Sequence, residues 1–498
     1  MENLQSRQHY IAGRWQEGAG DIFYSYNPAN GAIVWEGCHA TEPEVKRAVE
    51  AASAALPSWS ALSLDERFQY LLRFAKRVEA NRLALARLIA KETGKPLWES
   101  QTEVTAVVNK VNLSFQAYQE RNAEKITPQA ETNACLRYKP QGILAVLGAF
   151  NFPAHLSNGH IVPALLAGNT VVFKPSELAP AVSQWILECW HAIGLPAGVL
   201  NGIQGGGKIG SMLLSMPIHG VCFTGSYQTG KKIHQQLSDR PDVILALEMG
   251  GNNPLIIDEV ENKEAALYGA VLSTIISAGQ RCTCARRIFL PQNSWGDRFL
   301  TDFLETLQAT KIGAFEENPE PFMGPIIGEA QAKVYLGKQA LLIAQGGKPL
   351  LTMHHLMQGT GFLTPGLIDM TTVENTLDEE FFAPLIQVYR YKTFEDALAK
   401  ANDTRYGLVA GLFSDSQSRY TQFYHAMRAG LINWNRPTTG ASSSLPFGGV
   451  GLSGNNRPSG YFAADYCVYP IASLEQPFLT KPLDRLPGIH LSNMKHPN

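Results

Sequence analysis

The chain has 498 residues, 45% of them apolar and 17% charged, with 44 glycines, 29 prolines and a net charge of −2. At roughly 150 residues per domain, that length predicts two or three domains. The composition excludes disordered and collagen-like classes, the charge balance leaves no basic footprint for nucleic acid, and no apolar run reaches the roughly 18 residues of a membrane span.

The first third reads as helical. Thr41 to Glu44 and Ser63 to Glu66 have capping-box spacing, each followed by apolar residues at helical intervals. The second of these helices is predicted to run to about Glu92 and stop near Gly94 and Pro96, with another helix over 104–120. Residues 122–140 turn polar and loosely alternating, which suggests an extended hairpin. From Gly142 the rhythm changes to short apolar strands alternating with helices: strands at 143–147, 170–173, 198–203, 220–224 and 243–247, helices at 155–166, 180–193, 207–215 and 227–237. That alternation predicts βαβ units and a parallel sheet. It continues from Asn253 to about 450 as a second α/β domain, with strands at 254–257 and 286–290 and helices at 263–277, 297–309 and from Ala330. Residues 461–475 read as strand, and 480–498 as a polar tail.

The N-terminus lacks the layout of a signal peptide. The seven cysteines are scattered and odd in number, a reduced-thiol pattern that predicts a cytoplasmic protein. Cys282 and Cys284 have no matching second pair, so no metal site is expected.

An isolated cysteine is ordinarily structural. Cys282, however, follows Gly279, Gln280 and Arg281 in a polar setting just after a helix, where Arg281 or backbone N–H groups would favour the thiolate. Glu248 ends an apolar strand beside Gly250 and Gly251, and is either a domain-boundary ion pair or a site residue. Strand ends in α/β folds collect ligands, and a carboxyl partly buried there suits a base that activates water. Asn151, after the first parallel strand, is either a loop former or a donor to an oxyanion. Phe223-Thr224-Gly225-Ser226, with Gly230 beyond, opens a helix whose N–H groups would hold a pyrophosphate. Lys174 and Glu177 end a neighbouring strand, as a solvated pair or as ribose ligands. Glu177 would repel a 2′-phosphate, which favours NAD over NADP.

Together these segments resemble the aldehyde dehydrogenase superfamily across nearly the whole chain. Phe150-Asn151-Phe152-Pro153, Phe173 to Glu177, Phe223 to Ser226, Leu247 to Gly251 and Gly279 to Cys282 occur in the family's order, followed by Glu379 to Pro384 and Leu445 to Gly449. The resemblance implies an α/β fold with a Rossmann-like NAD-binding domain (1–121 and 141–249), an α/β catalytic domain (250–455), an oligomerisation extension (122–140 and 470–485) and a tail (486–498). It implies Cys282 as nucleophile, Glu248 as base and Asn151 as oxyanion donor. Lys174 and Glu177 would hold the adenosine ribose, Gly225, Ser226, Tyr227, Gln228, Thr229 and Gly230 the phosphates, and Glu380 with Phe382 the nicotinamide end. A homodimer or homotetramer would form through the extension. Asn252 replaces the lysine that many relatives have after the glycine pair. With 435–444, it makes the chain similar to members that oxidise N-succinylglutamate 5-semialdehyde in arginine breakdown. Arg281, Arg436, Thr438, Ser442 and Ser443 are then the expected substrate anchors. A member acting on another carboxylated aldehyde, a CoA-acylating member and a non-catalytic NAD-binding relative are the alternatives, and Glu248 favours hydrolysis over transfer to CoA.

Overall fold

Strands such as Ile143–Leu147 and Thr170–Lys174 are buried at every position, so both faces of their sheet must be covered. In the computed structural model, which describes residues 9–129, 132–374, 376–480 and 487–488, they lie inside a seven-stranded sheet. Its order is Ile244–Met249, Gly220–Gly225, Ile143–Leu147, Thr170–Lys174, Leu200–Gly202, His9–Ile11, Arg14–Gln16. The first five strands are mutually parallel and the last two join antiparallel. Helices cover both faces, and inside one layer Phe74 stacks on Trp190 with ring centroids 3.9 Å apart.

A second seven-stranded sheet follows, in the order Lys348–Leu351, Gly366–Asp369, Leu385–Tyr391, Ala285–Pro291, Asn253–Ile257, Val409–Phe413, Leu431–Trp434. All its pairs are parallel except the first. The first sheet's edge strand ends at Met249 and the second sheet's strand begins at Asn253. Only three residues cross between them, so the strand ends of the two sheets meet at this junction. The chain then returns: Ala463, Tyr466, Cys467 and Val468 belong to the first hydrophobic core.

Four departures from the sequence reading have physical reasons. Residues 9–38 hold four strands of three to six residues rather than helix, too short for a period to show and dependent on partners far along the chain. The helix expected to reach Glu92 is two, Leu64–Ala80 and Arg82–Thr93, broken where Asn81 leaves helical geometry at φ −119°. The helix expected at 104–120 begins at Leu97, directly after Pro96. Within 461–475, Ala463–Tyr466 is a helical turn and strand begins at Val468.

Strand Val468–Glu475 pairs with Asn133–Pro140, which pairs with Lys125–Pro128, in a separate three-stranded antiparallel sheet. Residues 481–485 of the expected extension, and the tail apart from 487–488, lie outside the described residues. All seven cysteines are free. Among the described residues no helix is long and apolar enough to cross a membrane, and no group of three or more His, Cys, Asp or Glu side chains could hold a metal ion.

Candidate active site

A cavity of about 800 Å³ opens at the junction of the two sheets, and Asn151, Lys174, Glu177, Gly225, Ser226, Thr229, Glu248, Cys282, Glu380, Phe382, Ser442 and Ser443 all line it. The thiol comes from the second body and the carboxyl from the first, brought together by the short crossing at 250–252.

Cys282 stands after an unusual turn. Ser277, Ala278 and Gly279 have φ of 54°, 52° and 72°, three successive left-handed residues of which two carry a Cβ. Such backbone persists only where its surroundings over-determine it. Here Ser277 Oγ donates to buried Glu99, and Arg286 donates to the carbonyls of Gly279 (2.6 Å) and Arg281 (2.8 Å). Gln280 Oε1 accepts the Ile327 N–H at 3.0 Å. Asn253 Nδ2 donates to the carbonyls of Cys282 (2.7 Å) and Cys284 (2.9 Å). A Cβ on Gly279 would stand 2.2 Å from the Ala383 carbonyl oxygen, so that position admits only glycine.

Burial pushes the Cys282 thiol up to about 12, and Glu380 and Glu248 push the same way while Arg286 opposes them. The expectation that Arg281 would favour the thiolate is corrected. Its guanidinium is spent on Glu99 at 2.8 Å and on Ser277 Oγ at 2.8 Å. In this state the thiol is protonated at neutral pH, and it needs a base or a change of surroundings before it can attack.

Glu248 supplies a base. It ends strand Ile244–Met249, whose free edge is covered by residues 454–459. Asn455 bonds the Leu247 N–H and the Leu245 carbonyl, and the Ser459 N–H donates to Glu248 Oε1 at 3.0 Å. Oε2 is buried without a hydrogen-bond partner. Burial raises this carboxyl to about 8, against the pull of Ser459. A group balanced near neutrality, with one oxygen free, can take a proton from water.

Asn151 is held from behind. Lys95 donates to its carbonyl at 2.8 Å and pairs with Glu103, while Glu103 accepts the N–H groups of Ala154 and His155 at the start of the next helix. One amide N–H of Asn151 donates to the Gln280 carbonyl at 3.0 Å. An amide nitrogen carries two protons, so a second donor remains.

The far end of the cavity suits a dinucleotide. Ser226 caps helix Tyr227–Gln236 by accepting the Thr229 N–H, which sets free N–H groups at the wall. Lys174 lies 3.6 Å from Glu177 and donates to the Gly205 carbonyl at 2.6 Å. Gly207 lines the cavity, and a Cβ there would meet nothing within 4 Å, which leaves backbone open to a ligand. Glu380 accepts the Gly251 N–H at 3.3 Å and lies 3.8 Å from Arg286, and burial raises its carboxyl to about 7. A Cβ on Gly250 would fall 1.8 Å from its Oε2.

Some expected residues lie elsewhere. Tyr227, Gln228 and Gly230 are not on the cavity wall. Gly230 instead lets its helix approach Met249, whose sulfur a Cβ would meet at 2.4 Å. Thr438 is fully buried and bonds Ser273 through both N–H and hydroxyl. Arg436 is exposed and off the wall, and Arg281 belongs to Glu99, so none of these three is positioned as a substrate anchor. Sequence reasoning missed Asn253, Arg286, Glu99, Lys95 and Glu103, which act through backbone far along the chain and carry no local signal. It also missed Lys110, His155 and His160 on the wall.

The Glu248 geometry has a pH consequence. The carboxyl is neutral below about 8 and becomes a base above it. Any hydrolysis it promotes should therefore accelerate about tenfold per pH unit on the acid side and level off beyond that value. Following a pre-formed Cys282 acyl-enzyme through the pH range checks this, and a flat profile would remove Glu248 as the base.

Residues 15–470 match the model of the aldehyde dehydrogenase family. The chain is 60% identical over 491 residues, 99% of each sequence, to the N-succinylglutamate 5-semialdehyde dehydrogenase of Legionella pneumophila strain Corby. Among solved structures it superposes on betaine aldehyde dehydrogenase from Staphylococcus aureus in complex with NAD+ with a TM-score of 0.89, at 26% identity over 95% of this chain and 96% of that one. Lactaldehyde dehydrogenase from Escherichia coli gives the same TM-score of 0.89 at 26% identity, covering 95% of this chain and 99% of that one. With its thiol, its carboxyl and its dinucleotide-shaped cavity on a fold matched over nearly its whole length, the chain belongs to the aldehyde dehydrogenase family.

Proposed function

We propose that this enzyme oxidises N-succinyl-L-glutamate 5-semialdehyde to N-succinyl-L-glutamate in arginine breakdown, with NAD as acceptor. The observation that carries the substrate is the 60% identity over 99% of both chains to the Legionella enzyme of that name. The cavity supports the chemistry.

The Cys282 thiol gives up its proton to solvent, and the thiolate adds to the aldehyde carbon. The remaining N–H of Asn151 and the Cys282 backbone N–H receive the developing oxyanion; a single donor of this kind is worth about two to three orders of magnitude in rate. NAD, when bound, takes up the hydride that leaves the aldehyde carbon. The acyl group is then a thioester on Cys282. Glu248 takes a proton from water, the hydroxide adds to the acyl carbon, and the C–S bond breaks as that proton passes back to sulfur, releasing the carboxylic acid and the thiol.

The cofactor would lie between Lys174 and Glu177 at one end and Glu380 and Phe382 at the other, with its phosphates near Ser226 and Thr229. Glu177, half-exposed at the wall, disfavours a 2′-phosphate by like charge. The free thiols support a cytoplasmic address. The three-stranded sheet carries exposed Ile126, Tyr469 and Leu474, which suit burial in a homodimer or homotetramer; light scattering that returned a monomer at working concentration would refute it.

The test is NADH formation from the succinylated semialdehyde beside succinate semialdehyde, glutamate semialdehyde and an aliphatic aldehyde, repeated with NADP. The expected kcat/KM for the succinylated compound is at least about tenfold above the rest, with NAD the better acceptor. Another aldehyde leading would overturn the substrate while leaving the chemistry.

A further inference from the structure

Among the described residues, four cations around the cavity have carboxylate partners, and a buried fifth that lines it has none. Lys95 has Glu103, Arg281 has Glu99, Arg286 has Glu380 and Lys174 has Glu177. Lys110, 5% exposed on the inner face of helix Leu97–Arg121, lines the cavity and has no carboxylate partner among the described residues. Its one hydrogen bond goes to the Gly460 carbonyl at 2.6 Å, leaving two N–H donors unused. Burying a charge without a counter-charge is unfavourable unless an anion arrives to complete the site.

The surroundings point to such an anion. His155 lines the same wall, and its Nδ1 is buried without a partner. Burial and the charges of Lys110, Lys95 and Arg281 bring His155 down to about 4, so it stands neutral. His160 is likewise neutral, its ring nitrogens facing the Tyr466 hydroxyl (2.7 Å) and Thr224 Oγ1 (3.3 Å). Burial brings Lys110 down as well, to about 8, which leaves it the charged one of these three basic side chains at neutral pH. Between His155 and His160 on the same helix sits Gly159, an interior helical position that disfavours glycine. It lines the cavity, and a Cβ built on it would meet nothing within 4 Å. No packing demand explains that glycine; open space beside it does.

We propose that Lys110 binds the terminal carboxylate of the substrate's N-acyl arm, and that Gly159 keeps open the space this arm occupies. The inference rests on the substrate reading above. A succinyl arm ends in a carboxylate where an acetyl arm ends in a methyl group, and an otherwise unpaired buried ammonium distinguishes the two. Arg281, Arg436 and Thr438, all in loops, are thereby replaced as anchors by a residue on helix Leu97–Arg121.

The experiment compares kcat/KM for N-succinyl- and N-acetylglutamate 5-semialdehyde in the wild-type enzyme and in Lys110→Met, Lys110→Arg and Gly159→Leu. In Lys110→Met the succinyl-to-acetyl ratio should fall at least about tenfold, mainly through KM, and Lys110→Arg should restore most of it. Gly159→Leu should lower the ratio as well by filling the space. A purely structural lysine would depress both substrates alike and leave the ratio standing, which overturns the anchor while the substrate reading survives. A wild-type enzyme with no succinyl preference overturns both.

Discussion

Everything in this site depends on a backbone held where it would not rest by itself. Ser277, Ala278 and Gly279 lie in the left-handed region, at a cost of order 1 kcal/mol or more for each residue with a Cβ. Glu99 from the first body, with Arg286 and Asn253 from the second, holds that turn. The strain is thus the means by which two separately folded layers agree on the position of one sulfur atom.

The junction also sets the electrostatics. Three ionisable groups, Cys282, Glu248 and Glu380, line one cavity, and burial raises all three. For Cys282 the charges of Glu380 and Glu248 add to the effect of burial. That arrangement suits chemistry in which a thiol must lose a proton at one step and water must lose one at another. Arg286 moderates it: buried, bonded to the turn's carbonyls and lying 3.8 Å from Glu380, it joins the geometry of the thiol to the charge of the cofactor end.

Much of this was legible in the chain. Buried strands between helices announced the two parallel sheets, and Cys282, Glu248 and Asn151 stood out because glycines and polar residues interrupt apolar strands at those points. What stayed hidden depends on partners distant in sequence. The strands of 9–38 depend on pairing with Leu200–Gly202 and with each other, and on partners such as Gln184 and Glu92 far along the chain. Arg281 looked like the cation of the site because it adjoins Cys282, yet its side chain is claimed by Glu99 far upstream. Nothing local in the sequence singles out Lys110; its lack of a carboxylate partner among the described residues exists only in three dimensions.

The central claim is that the acyl group rests on Cys282 and is released by water under the control of Glu248. Replacing Glu248 with Gln keeps the shape and the Ser459 hydrogen bond while removing the base. Rapid mixing of that variant with aldehyde and NAD, with intact mass measured on the quenched protein, tests the claim most directly. The expected result is one equivalent of NADH in a burst, an acyl adduct confined to Cys282, and steady turnover reduced by about two orders of magnitude or more. Undiminished steady turnover, or a burst that leaves no adduct on Cys282, would contradict it.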